Sequence, residues 1–351
     1  MKKFIMVVLI INTSLLLLGG ALLGLGLCFG GKPNFSFNLS GKEMVEQVYV
    51  DEDFPVEDYS SMKIDVQMAK IYIEKGDENR IEYHIMEELV PEVKVEDNTL
   101  YVIQPEKNII PINFINFNSD EPYIKIYVTE DQYADIKTSS GGIVINNVNI
   151  DGIIESLSGG LSINGSEADS IDIKVSSGKT YLENVKYNTI KANQSSGKFV
   201  IINCEAGTIN TKCLSGGAEF ENVSADSIES EVTSGGIHCT NVVAKSADLE
   251  ATSGSVTLQG SEIIDLTGGS NSGGFKAEDT KIDKANLKVS SGGIRLDLIG
   301  DVNDYDFELK VSSGSVNIND EKKGDDYTLE NGKDKKIKAK TSSGSININI
   351  N

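Results

Sequence analysis

Four cysteines and two histidines are the residues whose chemistry is hardest to replace, and their spacing offers no catalytic or metal-binding set. No two cysteines form a CxxC, and no Cys/His group has zinc-ligand spacing. Cys28 lies in an apolar N-terminal run. Cys204, Cys213 and Cys239 stand where equivalent positions carry Val, Ile, Leu, Phe or Ala, so they read as free, buried, small hydrophobes. A Cys204–Cys213 bridge is the alternative in an oxidising compartment. His84 falls in an alternating strand pattern and His238 at an outward position, neither with an evident partner. Serine is abundant, but Ser-Gly-Gly is not the Gly-x-Ser-x-Gly turn of a hydrolase nucleophile. Acids such as Glu183, Glu219, Glu221 and Glu229 are scattered among Ser, Asn and Lys, whereas polysaccharide cleavage needs them converging. The Asp301–Asp306 stretch has calcium-ligand residue types without the glycine and distal Glu of an EF-hand loop, and reads as a solvated loop. No Thr-x-Thr array of the ice-binding kind recurs. The residues therefore predict no catalytic site, no cofactor and no metal.

What positions these residues is a short period. A Ser-Gly pair recurs at Ser140 and Gly141, Ser158 and Gly159, Ser177 and Gly178, Ser196 and Gly197, Ser215 and Gly216, Ser234 and Gly235, Ser253 and Gly254, Ser272 and Gly273, and Ser291 and Gly292. The first step is 18 residues and the next seven are 19; looser copies follow at Ser313 and Ser343. With the marker Ser as position 0, positions 3 and 5 are apolar (Ile143/Ile145, Leu161/Ile163, Val256/Leu258) around a polar position 4, which is the alternation of a half-buried strand. Positions 13, 15 and 17 alternate likewise (Ile171/Ile173/Val175). Between them, position 7 reads Asn147, Gly165, Asn184, Asn203, Asn222, Asn241, Gly260 and Asp279, residue types that tolerate positive φ and mark a corner. The Ser-Gly pair marks the other corner. Such coils cannot bury their apolar faces alone and must stack. The expectation is an all-β, single-stranded β-solenoid (β-helix) with coils of 19 residues, eight regular steps giving a rod of roughly 40 Å.

The ends depart from the period. Residues 60–138 are strand-rich without the marker and read as an N-terminal β cap or irregular coils; 139–351 carry the repeats, with a charged insertion at 319–338 that would shield the C-terminal edge. The chain would finish on Ile346, Ile348 and Ile350 as its last strand. Ahead of the cap, Lys2 and Lys3 lead an apolar run from Phe4 to Gly31, long enough for a hydrocarbon core of about 20 residues and longer than the usual signal-peptide core. It reads as an uncleaved signal anchor and single transmembrane helix (1–31), with 32–59 as a stem. The lysine bias places the N-terminus in the cytoplasm and the bulk of the chain outside it. The formal charge of -21 without basic clusters argues against nucleic acid as a partner.

Taken together, this combination resembles the membrane-anchored bacterial β-strand-repeat proteins grouped as a domain of unknown function and labelled as candidate adhesins. The residues that carry the resemblance are the Lys2-Lys3-led anchor with its glycine-rich end (Gly19 to Gly31), Ile71-Tyr72-Ile73, Leu100-Tyr101-Val102-Ile103, Ile124-Lys125-Ile126-Tyr127-Val128, and Ser139-Ser140-Gly141-Gly142 with its repeats. The resemblance implies a cell-envelope location, and for some relatives a link to envelope stress; it supplies no catalytic residues. The expected function is a non-catalytic, membrane-anchored, extracytoplasmic interaction or adhesin-like scaffold whose partners are the membrane and an envelope component. A self-assembling structural β-helix is the first alternative and a carbohydrate-active enzyme the second. Any local function is expected where the period breaks, before Ser139 and after Asn319.

Overall fold

The structure is a computed structural model that describes residues 34–35, 48–105, 115–116 and 121–351. The anchor expected at 1–31 and, apart from Asn34–Phe35, the stem as far as residue 47 lie outside the described residues. Among the described residues no helix is long and apolar enough to cross a membrane. Two compact units are distinguished. One, residues 1–48 and 106–121, shows a two-residue antiparallel pair, Asn34–Phe35 against Ile115–Asn116. The other, Tyr49–Pro105 and Pro122–Asn351, holds the repeats and is all-β apart from two single-turn 3-10 segments.

Each repeat forms one rung of a parallel ladder. Val256, Thr257 and Leu258 pair with Phe275, Lys276 and Ala277, and Ser253 pairs with Ser272, so partners lie 19 residues apart. At the first step the offset is 18, Ile136 pairing with Ile154, as the shorter spacing demands. Strand alternation sends positions 3, 5, 8, 13, 15 and 17 inward: Ile143, Ile145, Val148, Leu161 and Ile163 are at most 1% exposed. At four rungs the polar side chain two residues before the marker Ser satisfies the adjacent corner. Ser156, Gln194, Ser270 and Thr341 donate to the carbonyls of Gly159, Gly178, Gly254 and Gly292. Where position 8 shrinks to Ser166, Tyr187 fills the core and its hydroxyl meets Ser166 Oγ at 2.7 Å.

The ends are threaded out of sequence order. At the N-terminal end, Ser61–Met68 and Lys70–Lys75 form a full rung in parallel register with Gln132–Ser140 and Ile143–Asn146, Ile71 facing Ile143 and Ile73 facing Ile145. Beyond it lies an outer rung made of Thr99–Ile103 and Tyr123–Val128, which come later in the chain. Arg80–Met86, Glu92–Glu96 and Tyr49–Pro55 then close the ladder antiparallel. Residues 60–138 are thus both a coil and a cap. The boundary expected at 138 cuts the strand Gln132–Ser140, and the expected stem loses Tyr49–Pro55 to the cap. Gln104 seals the unmarked corner, its Oε1 accepting from the backbone N–H groups of Gln67 and Met68 at 2.7 and 3.0 Å.

The C-terminal end differs from the expectation in two ways. Ile346–Ile350 is not an edge: it lies between Ile294–Leu298 and Val316–Ile318, and Lys335–Ser343 likewise lies between Phe275–Ser291 and Tyr305–Val311. The rung 305–318 is the outer one, closed by the antiparallel strands Glu321–Gly324 and Asp326–Leu329. The charged insertion also ends earlier than residue 338, because Lys335–Lys338 belong to the ladder. Ile337 and Ala339 are buried beneath Lys336, Lys338 and Lys340, so a strand with one wholly charged face read as a charged loop.

Candidate functional site

The repeat markers and corners form columns. Asn147, Asn184, Asn203, Asn222 and Asn241 adopt φ of 54, 53, 52, 51 and 53°. The side-chain amides of the last four are hydrogen-bonded in a chain up the stack, Asn241 Nδ2 donating to Asn222, Asn222 to Asn203 and Asn203 to Asn184, at 3.0 to 3.1 Å. The chain extends to Asn164 and stops at Gly260, which has no side chain to continue it. The marker glycines lie at φ between +111 and +159°, a region closed to side chains. Gly141 sits against the carbonyl of Ala69 and each later one against the carbonyl of the marker below, so a Cβ at Gly159 would overlap the carbonyl of Gly141. Both columns do the work of closing a rung.

Residues suited to chemistry are spent on the fold. Cys204, Cys213 and Cys239 are free and buried, and burial raises their thiols to about 12, 11 and 12, which leaves them protonated and inert at neutral pH. The Cys204–Cys213 alternative is therefore not realised. Asp301 caps the 3-10 turn Val302–Asp304, its carboxylate accepting from the Asn303 N–H at 2.9 Å. Among the described residues no three His, Cys, Asp or Glu side chains converge as metal ligands. His238 is exposed. Acids and lysines pair across neighbouring rungs, as in Lys174–Glu155, Lys186–Glu167, Lys212–Glu231 and Lys245–Asp226.

The densest local arrangement is on the N-terminal cap, where the antiparallel strands bring outward side chains beside those of Tyr123–Val128. Glu82 accepts from the hydroxyls of Tyr123 (2.7 Å) and Tyr127 (3.1 Å) and from Lys125 Nζ (3.3 Å). The Tyr123 bond holds the Glu82 carboxyl below the usual carboxylate range, and reciprocally raises the Tyr123 phenol to about 12. Arg80 binds Asp53 at 2.6 Å and lies over the Tyr127 ring at 4.2 Å from its centroid. His84 does have partners. Its Nδ1 meets Asp51 Oδ1 at 2.7 Å, and its ring is stacked between Tyr49 (4.7 Å, 6°) and Tyr123 (6.1 Å, 27°). The outward alternation Tyr123, Lys125, Tyr127 is legible in the sequence; that Arg80, Glu82 and His84 face it is not, since antiparallel pairing across some 40 residues leaves no local mark. Every titratable group of the cluster has a partner inside it. That makes it a fastening for the cap.

One open groove of about 450 Å³ crosses five rungs along the corner after position 8. Its floor is low because position 10 is Ala206, Ala225 and Ala244 in three successive rungs after Tyr187. Val243 and Ile264 are exposed on its rim, at 53% and 46%.

A family model described as Toastrack DUF4097 matches residues 59–186 and again 186–349. A comparison with the curated proteins finds no match. Among solved structures, a candidate lipid-binding protein from Parabacteroides distasonis is 17% identical, with a TM-score of 0.46, over 65% of this chain and 96% of its own. A candidate adhesin from the same organism is 14% identical, with a TM-score of 0.42, over 86% and 98%. A candidate adhesin from Bacteroides fragilis is 13% identical, with a TM-score of 0.34, over 87% and 98%. At these values the likeness carries no functional argument.

Proposed function

Because this chain belongs to the Toastrack DUF4097 family, matched twice in succession, we propose that its ladder winds one continuous β-solenoid acting as a non-catalytic, adhesin-like interaction scaffold of the cell envelope. Residues 1–31 anchor it in the membrane as a single transmembrane helix, with the N-terminus cytoplasmic and the repeats outside. The observation that carries the reading is the closure of the ladder at both ends by antiparallel strands. A parallel stack left open would add further copies end to end. A stack closed at both ends is a rod of set length, roughly 60 Å at about 4.8 Å per rung, that meets partners through its sides. The same closure disfavours the self-assembling filament. The enzyme alternative finds no support in acids that pair across rungs or fasten the cap.

The test compares cells carrying the chain with isogenic cells lacking it, for retention on purified envelope material before and after protease treatment of intact cells. Retention that depends on the chain and disappears on proteolysis is expected. Equal retention by both strains overturns the interaction role. A chain cleaved only after permeabilisation overturns the outward location.

A further inference from the structure

The face formed by positions 12 to 18 carries a charge distribution that the net charge of -21 conceals. The Phe275–Ser291 and Lys335–Ser343 strands are adjacent and parallel although they lie far apart in sequence: Lys284 pairs with Lys336, Asn286 with Lys338 and Lys288 with Lys340. All six side chains are exposed on one face. Lys338 and Lys336 share Glu308, at 2.6 and 3.8 Å. Among the described residues, Lys284, Lys288 and Lys340 have no carboxylate within ion-pair distance, in contrast to the cross-rung pairs elsewhere. The next rung towards the N-terminal end presents Asp265, Thr267 and Gly269, and the two after it present Asp248 with Glu250 and Glu229 with Glu231. Lysines of this face that lack an ion-pair partner thus gather on these two rungs, whereas Lys174, Lys191, Lys212 and Lys310 on other rungs are each paired with a carboxylate.

We infer that these lysine rows bind a linear phosphate polymer lying along the strands and across the rod. Alternate residues of a strand are about 6.6–6.8 Å apart, so Lys336, Lys338 and Lys340 form a row of evenly spaced point charges, with Lys284 and Lys288 forming a second row about 4.8 Å away. Lysine pairs with phosphate as a point charge, without the planar match that arginine gives. The footprint is far below the roughly 800 Å² per partner that a stable protein interface needs, which disfavours a second copy docking its acidic strip here. A flat anionic bilayer would press on Asp248, Glu250, Glu229 and Glu231 together with the lysines, whereas a single polymer chain follows the lysine rows alone. Among the described residues, the outward positions flanking the array are Asp265, Thr267 and Gly269 on one side and Asp306, Glu308 and Lys310 on the other, with no aromatic ring to stack a base, so the polymer is recognised by its backbone. The inference rests on the interaction reading above and names a partner chemistry for it. It is tested on purified protein, so that it can fail while the envelope location stands.

The full-length chain is titrated with fluorescently labelled short-chain polyphosphate, as wild type, as K284Q/K288Q, as K336Q/K340Q, and as the control K186Q/K212Q/K245Q, whose lysines pair across rungs. Four or five phosphate contacts predict an affinity loss of roughly 50- to 130-fold between 50 and 200 mM salt. Each array variant is expected to bind at least about 10-fold more weakly and to lower the salt slope by about 1.4, the value for two lost contacts. The control should stay within about two-fold, and unchanged thermal melts confirm that the variants fold. Absence of polyphosphate binding overturns the inference, as does equal weakening in the control. Tighter capture by anionic lipid vesicles than by polyphosphate, lost in the array variants, assigns the face to a membrane instead. Salt-sensitive dimers that the array variants abolish assign it to a second copy.

Discussion

The marked middle of the molecule and its two ends solve the same problem differently. In the middle, corner residues are supported by equivalent residues one rung away, so a column of one residue type is largely self-sufficient: Asn241 bonds Asn222, and Gly235 rests on Gly216. At the ends no further copy exists, and both ends use the same device in opposite chain order. The N-terminal end lays down an inner rung (61–75), antiparallel strands and then an outer rung (99–103 with 123–128); the C-terminal end lays down an outer rung (305–318), antiparallel strands and then an inner rung (335–350). The side-chain chemistry that fastens them differs. The N-terminal cap is held by aromatic rings and a carboxylate at its centre, the C-terminal one by exposed pairs such as Lys310–Asp326 and by Asp306, which accepts from the Asn331 N–H at 2.7 Å. Periodicity lets one residue type serve every rung, while ending the period requires non-repeating contacts.

The largest test of that contrast sets two glycines against each other. Gly235→Ala places a Cβ onto the Gly216 carbonyl at φ +133°, and we expect a loss of about 3 kcal/mol or more in urea unfolding. Gly324→Ala, at φ +101° in the C-terminal hairpin with nothing within 4 Å, should cost about 1 kcal/mol. Equal losses would mean that strain, not stacking, constrains the markers. Next comes the cap. Glu82→Gln weakens three bonds to a charged acceptor and should cost about 2 kcal/mol. Because the folded carboxyl is held below its unfolded value, its contribution is complete above the unfolded pKa of about 4.3 and is lost as pH falls through the lower folded value. Acid titration of stability should therefore be shallower in the variant, and an unchanged acid limb would show that the cap does not depend on this charge. In the corner column, Asn222→Ala should cost about 1–2 kcal/mol and Asn222→Gly less than about 1 kcal/mol, since glycine restores the positive φ but not the amide chain. The smallest effect belongs to the exposed ladder pairs: Lys212→Gln should leave the thermal midpoint unchanged within experimental error.

How much of this was legible in the sequence follows from how each feature is encoded. The rung length, the inward positions and the Asn corner are local requirements repeated many times, so the 19-residue period carries them. The inner rung at 61–75 has the same apolar alternation, Ile71 and Ile73, but its corner is Met68-Ala69 in place of Ser-Gly, and without the marker it reads as cap. The cap cluster was half visible. Tyr123, Lys125 and Tyr127 alternate in plain view, yet the sequence shows no partner for His84 because Asp51 and Tyr49 reach it only through an antiparallel pairing. The three buried cysteines were readable from the apolar residues that replace them in other repeats.

By itself, the sequence determined the all-β class, the period, the two corner chemistries and the side of each strand that faces the core, because backbone sterics and hydrophobic alternation act within one rung. Only the tertiary structure decided the order of rungs at the ends, and with it the pairing of Lys284 and Lys288 with Lys336 and Lys340 across 52 positions of chain. A parallel ladder specifies that neighbouring strands match in length and alternation, not which matching strand arrives. At the ends several strands match, and closing both open edges selects among them.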